Sequence, residues 1–223
     1  MKTHLILSGG GVYGVYMLGC LDVLFKEHKF THICGTSIGS VIGVLISFMS
    51  VSEIICILKK NKIITNDDID ITNMYINFGI IEPNTLIQII KECFQKKLKN
   101  INPTFKEFVK LTDKYIYITG TNLTTHNLDV FDVTNYPNMP ILKAIEISVS
   151  IPFVFTKVTY NNCVYVDGGV TCMYPSKVFK HVDKTKKLCI YIVPPNVNSD
   201  LADPKTYIMS IIPTLLKSQH NED

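Results

Sequence analysis

A serine stands among glycines in Gly35-Thr36-Ser37-Ile38-Gly39, between a short apolar run and a long one. The G-x-S-x-G spacing lets a chain turn sharply from strand to helix, because the glycines leave room for the bend and the hydroxyl is presented at its tip. A second glycine run, Gly9-Gly10-Gly11-Val12-Tyr13-Gly14, lies at the end of an earlier apolar stretch. Its unencumbered N–H groups could hold an oxyanion close to that hydroxyl. Each pattern alone is weak; the two together, each on a strand-to-helix turn, point to acyl transfer.

A serine hydroxyl attacks poorly until a base takes its proton. The chain offers six histidines (His4, His28, His32, His126, His181 and His220) and several aspartates. Only one of these sits in a motif. Asp167-Gly168-Gly169 directly follows the apolar run Cys163-Val164-Tyr165-Val166, on the rim where open α/β sheets place their sites. A free aspartate, with a pKa of about 3.9, is a weak base. Burial raises that value, while a helix N-terminus at Ser37 and the glycine N–H groups stabilise the alkoxide and the oxyanion. A two-residue Ser37–Asp167 device is therefore physically sound. Gly14, Gly35, Gly39, Gly168 and Gly169 are the positions at which the motifs demand small residues.

The elements that must position these groups alternate in type. Thr3–Leu7 reads as a strand, Val15–Lys26 as a helix, Phe30–Cys34 as a second strand, and the apolar run Ile38–Met49 as a buried helix. This βαβα start predicts a parallel sheet covered by helices. Val51–Lys60 continues as helix; the polar stretch 61–79, with Asp67, Asp68 and Asp70, reads as a loop. A long helix begins with Pro83 as its first helical residue and ends in Lys96, Lys97 and Lys99. Thr104–Lys110 and Ile141–Ser148 are further helices, and Lys114–Thr119, Leu128–Asp132, Asn162–Val166 and Leu188–Val193 further strands. No repeat or low-complexity linker divides the chain, so residues 1–223 are expected to form one domain.

Composition narrows the function classes. The chain has 223 residues, 47% of them hydrophobic, enough for a substantial core. The net charge of +3 is mild, there is no arginine, and the lysines are scattered, which argues against nucleic acid as a partner. Seven cysteines, odd in number and without a C-x-x-C pair, read as reduced, buried thiols of an intracellular protein. No signal peptide is visible and the longest apolar run falls short of the about 20 residues that span a bilayer. The expectation is a cytoplasmic protein that can meet membranes peripherally. The apolar stretch Tyr207–Leu216, interrupted by Pro213, reads as a last helix or as an interfacial segment.

The ordered set of G-G-G-x-x-G, G-T-S-x-G, a serine-rich helix running into Pro152, and D-G-G with Pro175 shortly after resembles the patatin-like phospholipase family over almost the whole chain. Thr119-Gly120-Thr121-Asn122-Leu123-Thr124 and Ser148-Val149-Ser150-Ile151-Pro152 resemble secondary blocks of the same family. The resemblance implies an α/β fold, three-layer α/β/α with a mostly parallel central sheet. It implies hydrolysis of acyl esters in lipids, at a membrane surface, by a Ser37–Asp167 dyad without histidine. It implies an oxyanion hole at Gly9, Gly10 and Gly11, with no cofactor and no metal. Three positions depart from the family's habit: Tyr13 where many members carry Lys or Arg, Ser8 where Asp is frequent, and Met173 where Asn is common. Tyr13 removes one partner for a phosphodiester headgroup.

Other readings stay open on the sequence. The first glycine run could cradle a dinucleotide, but that use wants an acid at the end of the next strand, and Phe30–Cys34 ends without one. Ser37 could be only a helix N-cap, and Asp167 could merely open a turn. An α/β-hydrolase with a Ser-His-Asp triad would place more strands before its serine and a histidine last. A patatin-fold protein that binds lipid without cleaving it is the rival from a different class.

Overall fold

The computed structural model describes residues 1–62 and 72–193. Asp67, Asp68, Asp70, His220 and the stretch Tyr207–Leu216 lie outside these residues. In chain order, β1 (His4–Leu7) is followed by a 3-10 turn (Gly11–Gly14), α1 (Val15–Glu27), β2 (His32–Gly35), α2 (Ile38–Leu45) and α3 (Val51–Lys60). Then come α4 (Asn73–Asn77), β3 (Gly79–Ile81), α5 (Asn84–Leu98), α6 (Phe105–Thr112), β4 (Tyr115–Asn122) and β5 (Asn127–Phe131). The described part closes with α7 (Ile141–Ser148), β6 (Phe153–Phe155), β7 (Val158–Tyr160), β8 (Cys163–Asp167) and β9 (Lys187–Ile190).

Strands are linked in the order β7-β8-β4-β2-β1-β9, with β5 also on β4. The pairs β9/β1, β1/β2 and β2/β4 are parallel, whereas β5, β7 and β8 join antiparallel. The sheet is thus parallel at its centre and mixed at its rim. Leu5 and Leu7 of β1 face a large core built from α1, α2, α3, α5, α6 and α7. Ile6 faces the other side with Cys34 and Phe179, beneath Tyr174, Val178 and Val182. Apolar residues on both faces are what a covered parallel strand requires, and the result is a three-layer α/β arrangement.

β4 sets where β2 and β8 end. β2 pairs with Tyr115–Ile118 and β8 with Gly120–Asn122. The Tyr115 N–H donates to the Thr31 carbonyl, just before β2, and the Leu123 N–H donates to the Val164 carbonyl of β8. Alternate amides of a strand leave from the same edge, so β2 and β8 share one edge of β4 and run towards each other. Their ends, Gly35 opposite Ile118 and Asp167 opposite Gly120, meet across Thr119.

Several sequence expectations are adjusted. α2 stops at Leu45 instead of running to Met49, because the Ser47 hydroxyl bonds the Gly43 carbonyl at 2.7 Å and Ser50 with Glu53 forms the capping box that starts α3. Pro83 is the N-cap of α5, not its first helical residue. The expected loop 61–79 contains α4 and the start of β3, which pairs with β6 across a long sequence separation. The cysteines are all free, but Cys20, Cys56 and Cys189 are exposed, against the expectation of buried thiols. No helix among the described residues is long and apolar enough to cross a membrane.

Candidate active site

Ser37 follows β2 and precedes α2, with φ 52° and ψ −126°, a conformation that a residue with a side chain rarely adopts. The bend is enforced by close backbone contact. A Cβ on Gly35 would come within 2.4 Å of the Gly39 carbonyl oxygen, and one on Gly39 within 2.4 Å of the Ser8 carbonyl oxygen. The Ser37 N–H is held by the Ser148 hydroxyl oxygen at 2.9 Å, at the end of α7. Gly14 packs under Ile38, where an added Cβ would reach 2.4 Å.

The Ser37 hydroxyl donates to Oδ2 of Asp167 at 2.6 Å. Oδ1 of the same carboxylate accepts from the Gly169 N–H at 2.6 Å. The Asp167 backbone is fixed as well. Its N–H donates to the Ser150 carbonyl at 2.8 Å, and its carbonyl accepts from the Thr121 hydroxyl at 2.8 Å. Ser37 and Asp167 are 6% and 4% exposed, so the pair is shielded from bulk water. Burial pushes the Asp167 carboxyl up from 3.8 to about 7, against the opposing pull of the Ser37 hydroxyl and the Gly169 N–H. An aspartate in this state is half-ionised near neutrality, which suits a general base.

Hydroxyl side chains brace the junction of β2, β4 and β8. Thr36 lies 2.7 Å from Thr119, Oγ1 to Oγ1, and donates to the Cys172 carbonyl at 3.1 Å. Thr121 meets Thr171 at 2.9 Å, Oγ1 to Oγ1. Gly168 sits directly against Thr119, whose Oγ1 would be 2.4 Å from an added Cβ. In the sequence the segments containing Thr119, Thr121 and Ser148 stand out as motifs without any role for these side chains; the repeated Thr and Ser positions are the available signal.

The glycine run ends β1 beside Ser37, as its position next to β2 requires. Its three residues are not equivalent. The Gly9 N–H donates to the Met173 carbonyl at 2.9 Å, and the Met173 sulfur occupies the space a Gly9 Cβ would need. The missing Cβ of Gly10 faces Ile192, and Gly11, at φ 52°, faces open space. Among the described residues, no backbone carbonyl takes the N–H of Gly10 or Gly11. Tyr13 stacks on Tyr16, centroids 6.3 Å apart. No histidine among the described residues hydrogen-bonds to Ser37 or Asp167. No group of three or more His, Cys, Asp or Glu that could hold a metal ion occurs among them either.

This three-layer α/β fold, with a serine on a strained strand-to-helix turn, has known counterparts. The sequence profile described as patatin-like phospholipase matches residues 5–179. The chain belongs to the patatin-like phospholipase family. It is 32% identical over 201 residues to a probable lipid hydrolase of Invertebrate iridescent virus 6, covering 85% of this chain and 68% of the relative. It is 27% identical over 168 residues to triacylglycerol lipase 5 of Saccharomyces cerevisiae, covering 69% of this chain and 22% of that protein. Among solved structures, VipD from Legionella pneumophila superposes with a TM-score of 0.64 at 17% identity, covering 94% of this chain and 53% of VipD. The chain thus spans about two thirds of the viral relative's length and about half of VipD's.

Proposed function

We propose that residues 1–223 form one lipid acyl ester hydrolase domain in which Ser37 is the nucleophile and Asp167 its general base. The observation that carries this reading is the 2.6 Å hydrogen bond from the Ser37 hydroxyl to a carboxylate held near neutrality by burial. In the first half-reaction, Asp167 takes the Ser37 proton as Oγ bonds to the ester carbonyl carbon. The N–H groups of Gly10 and Gly11 stabilise the resulting oxyanion, helped by the N-terminus of α2; Gly9, whose N–H is committed to Met173, shapes the loop. Collapse of the tetrahedral intermediate expels the alkoxide, which receives the proton from Asp167 and leaves as an alcohol. A water, deprotonated by Asp167, then attacks the acyl-serine. Fatty acid departs and Ser37 recovers its proton.

The names of the viral and yeast relatives and the family assignment support a lipid substrate. Val12, Val15 and Tyr16, exposed in and just after the glycine run, favour delivery from a membrane surface. Tyr13 in place of a basic residue favours neutral glycerides or simple long-chain esters at rates comparable with phospholipids. A panel of acylglycerols, lysophospholipids and phospholipids in mixed micelles, run with Ser37→Ala as the control, tests this. Strict phospholipid preference, abolished in the control, would overturn the inference from Tyr13. Turnover retained in the control would overturn Ser37.

A further inference from the structure

Cys172 and Met173 form a short strap that ties the loops of the site together. The Cys172 N–H donates to the Gly168 carbonyl at 2.9 Å, and the Cys172 carbonyl accepts from the Thr36 hydroxyl at 3.1 Å. The Met173 carbonyl accepts from the Gly9 N–H at 2.9 Å. Two residues thus hold the neighbour of Asp167, the neighbour of Ser37 and the start of the glycine run. The Met173 side chain fills the space between them. Its sulfur stands where a Cβ on Gly9 would be, a place 3.5 Å from Cβ of Ser37. Its methyl carbon lies 3.3 Å from where a Cβ on Gly169 would be, and the Gly169 N–H is the donor that holds the Asp167 carboxylate. Met173 is only half-buried, so a small oxidant can reach it. Met17 and Met139, in contrast, are sealed in the core.

We propose that Met173 is an oxidation-sensitive clamp on the site: a peroxide converts its thioether to the sulfoxide, and the added oxygen forces the Gly9 loop and Gly169 out of place and stops turnover reversibly. The inference rests on the hydrolase reading for the activity that is lost. In the oxidation, a lone pair of the sulfur attacks one peroxide oxygen, the S–O bond forms as the O–O bond breaks, and the leaving hydroxide takes the proton of the transferred oxygen and departs as water. The sulfur loses two electrons and the peroxide gains them. Oxidation turns an apolar side chain into a polar one, and the new oxygen arrives where two backbone donors are already committed. The Gly9 N–H is taken by the Met173 carbonyl and the Gly169 N–H by Oδ1 of Asp167. The sulfoxide oxygen must therefore stay unpaired, at a cost, or draw one of these donors from its partner. Either outcome disturbs the loop beside Ser37 or the support of Asp167.

The test treats wild type and Met173→Leu with hydrogen peroxide and compares each with its own untreated rate on a soluble short-chain ester, while peptide mass spectrometry reads sulfoxide at every methionine. Wild-type kcat should fall in step with sulfoxide at Met173, by up to about 100-fold, the loss that a misplacement of about 1 Å causes. Methionine sulfoxide reductases of both stereospecificities should return the activity, whereas dithiothreitol, which reduces disulfides and sulfenic acids, should not. Met173→Leu has no sulfur to oxidise at this position and should keep whatever rate it had before treatment. The wild-type series with the reductases needs no variant, so it decides the matter even if Met173→Leu does not fold. Met173 left unoxidised, full turnover with Met173 oxidised, recovery with dithiothreitol alone, or Met173→Leu inactivated as fast as wild type overturns the clamp. An untreated wild type without turnover sinks the hydrolase reading instead. The clamp is then read from the thermal melt, which should drop in oxidised wild type and hold in treated Met173→Leu; an unchanged melt with Met173 oxidised overturns it.

Discussion

The Ser37 hydroxyl and the Asp167 carboxylate, 130 residues apart in the chain, lie 2.6 Å apart in space. Their meeting is a product of topology. β2 and β8 occupy successive lengths of one edge of β4 and end against each other across Thr119, so two strand ends bring a hydroxyl and a carboxylate to one point.

Turnover should depend on pH through Asp167. Its carboxyl titrates at about 7 in the folded protein and must be ionised to accept the serine proton. kcat/KM on a soluble short-chain ester should therefore rise through about pH 7 and level off above it. His181→Ala should keep this profile, whereas Asp167→Asn should be flat and close to background. A profile governed by His181 instead would indicate a triad.

The same group should weaken the fold where it enables catalysis. A folded-state pKa of about 7 against 3.8 for the free carboxyl means that the folded protein holds a proton the unfolded chain releases between those values. The contribution of Asp167 to stability therefore falls as pH rises from about 4 to about 7 and stays low above. The gap corresponds to at most ~4 kcal/mol. Asp167→Asn can still accept from Gly169 and meet Ser37, but it carries no charge. It should melt above wild type at about pH 8 and show no advantage at about pH 4, measured by calorimetry. A variant that melts lower at both pH values would refute the buried-charge cost.

The glycines should divide by what surrounds them. An added Cβ at Gly39 meets the backbone of Leu7 and Ser8, which cannot give way, so Gly39→Ala should lose most of its folded population in a denaturant titration. At Gly10 the neighbour is the Ile192 side chain, 3.0 Å at its nearest, so Gly10→Ala should fold. Its added methyl should nevertheless crowd the ester and turn the N–H groups away, lowering kcat by up to the about 2.7–4 kcal/mol of barrier that a lost oxyanion donor costs in a comparable hydrolase. Unchanged kinetics in Gly10→Ala would remove this loop from the oxyanion hole.

Much of this arrangement was legible in the sequence, because the chemistry-bearing residues advertise themselves. Ser37, Asp167 and the glycines sit in motifs whose spacing reflects local backbone geometry, and the βαβα opening follows from apolar periodicity. What local pattern could not carry was long-range pairing. β3 and β6 are three-residue strands that exist by pairing with each other across more than 70 residues of chain, and the antiparallel arrival of β8 beside β2 has no signature in either segment. The commitment of the Gly9 N–H to Met173 likewise depends on a contact between loops 164 residues apart by numbering. The exposure of Cys20, Cys56 and Cys189 has no local signature, because an apolar run does not by itself mean burial.

Ser148 should prove a positioning residue. Its hydroxyl is the acceptor for the Ser37 N–H in a buried site, and removing it leaves that N–H unpaired at a cost of about 1–3 kcal/mol. Ser148→Ala should lower kcat on a soluble ester more than it changes KM, and Ser148→Thr, which keeps the hydroxyl, should restore part of the loss. A change confined to KM would contradict this role.

The central claim is that Ser37 is a nucleophile activated by Asp167. Treatment with a fluorophosphonate, followed by peptide mass spectrometry to locate the adduct, tests it most directly. The account predicts a single phosphonylated residue, Ser37, with labelling lost in Ser37→Ala and strongly slowed in Asp167→Asn. An unlabelled protein, or an adduct on another serine such as nearby Ser40, would contradict it.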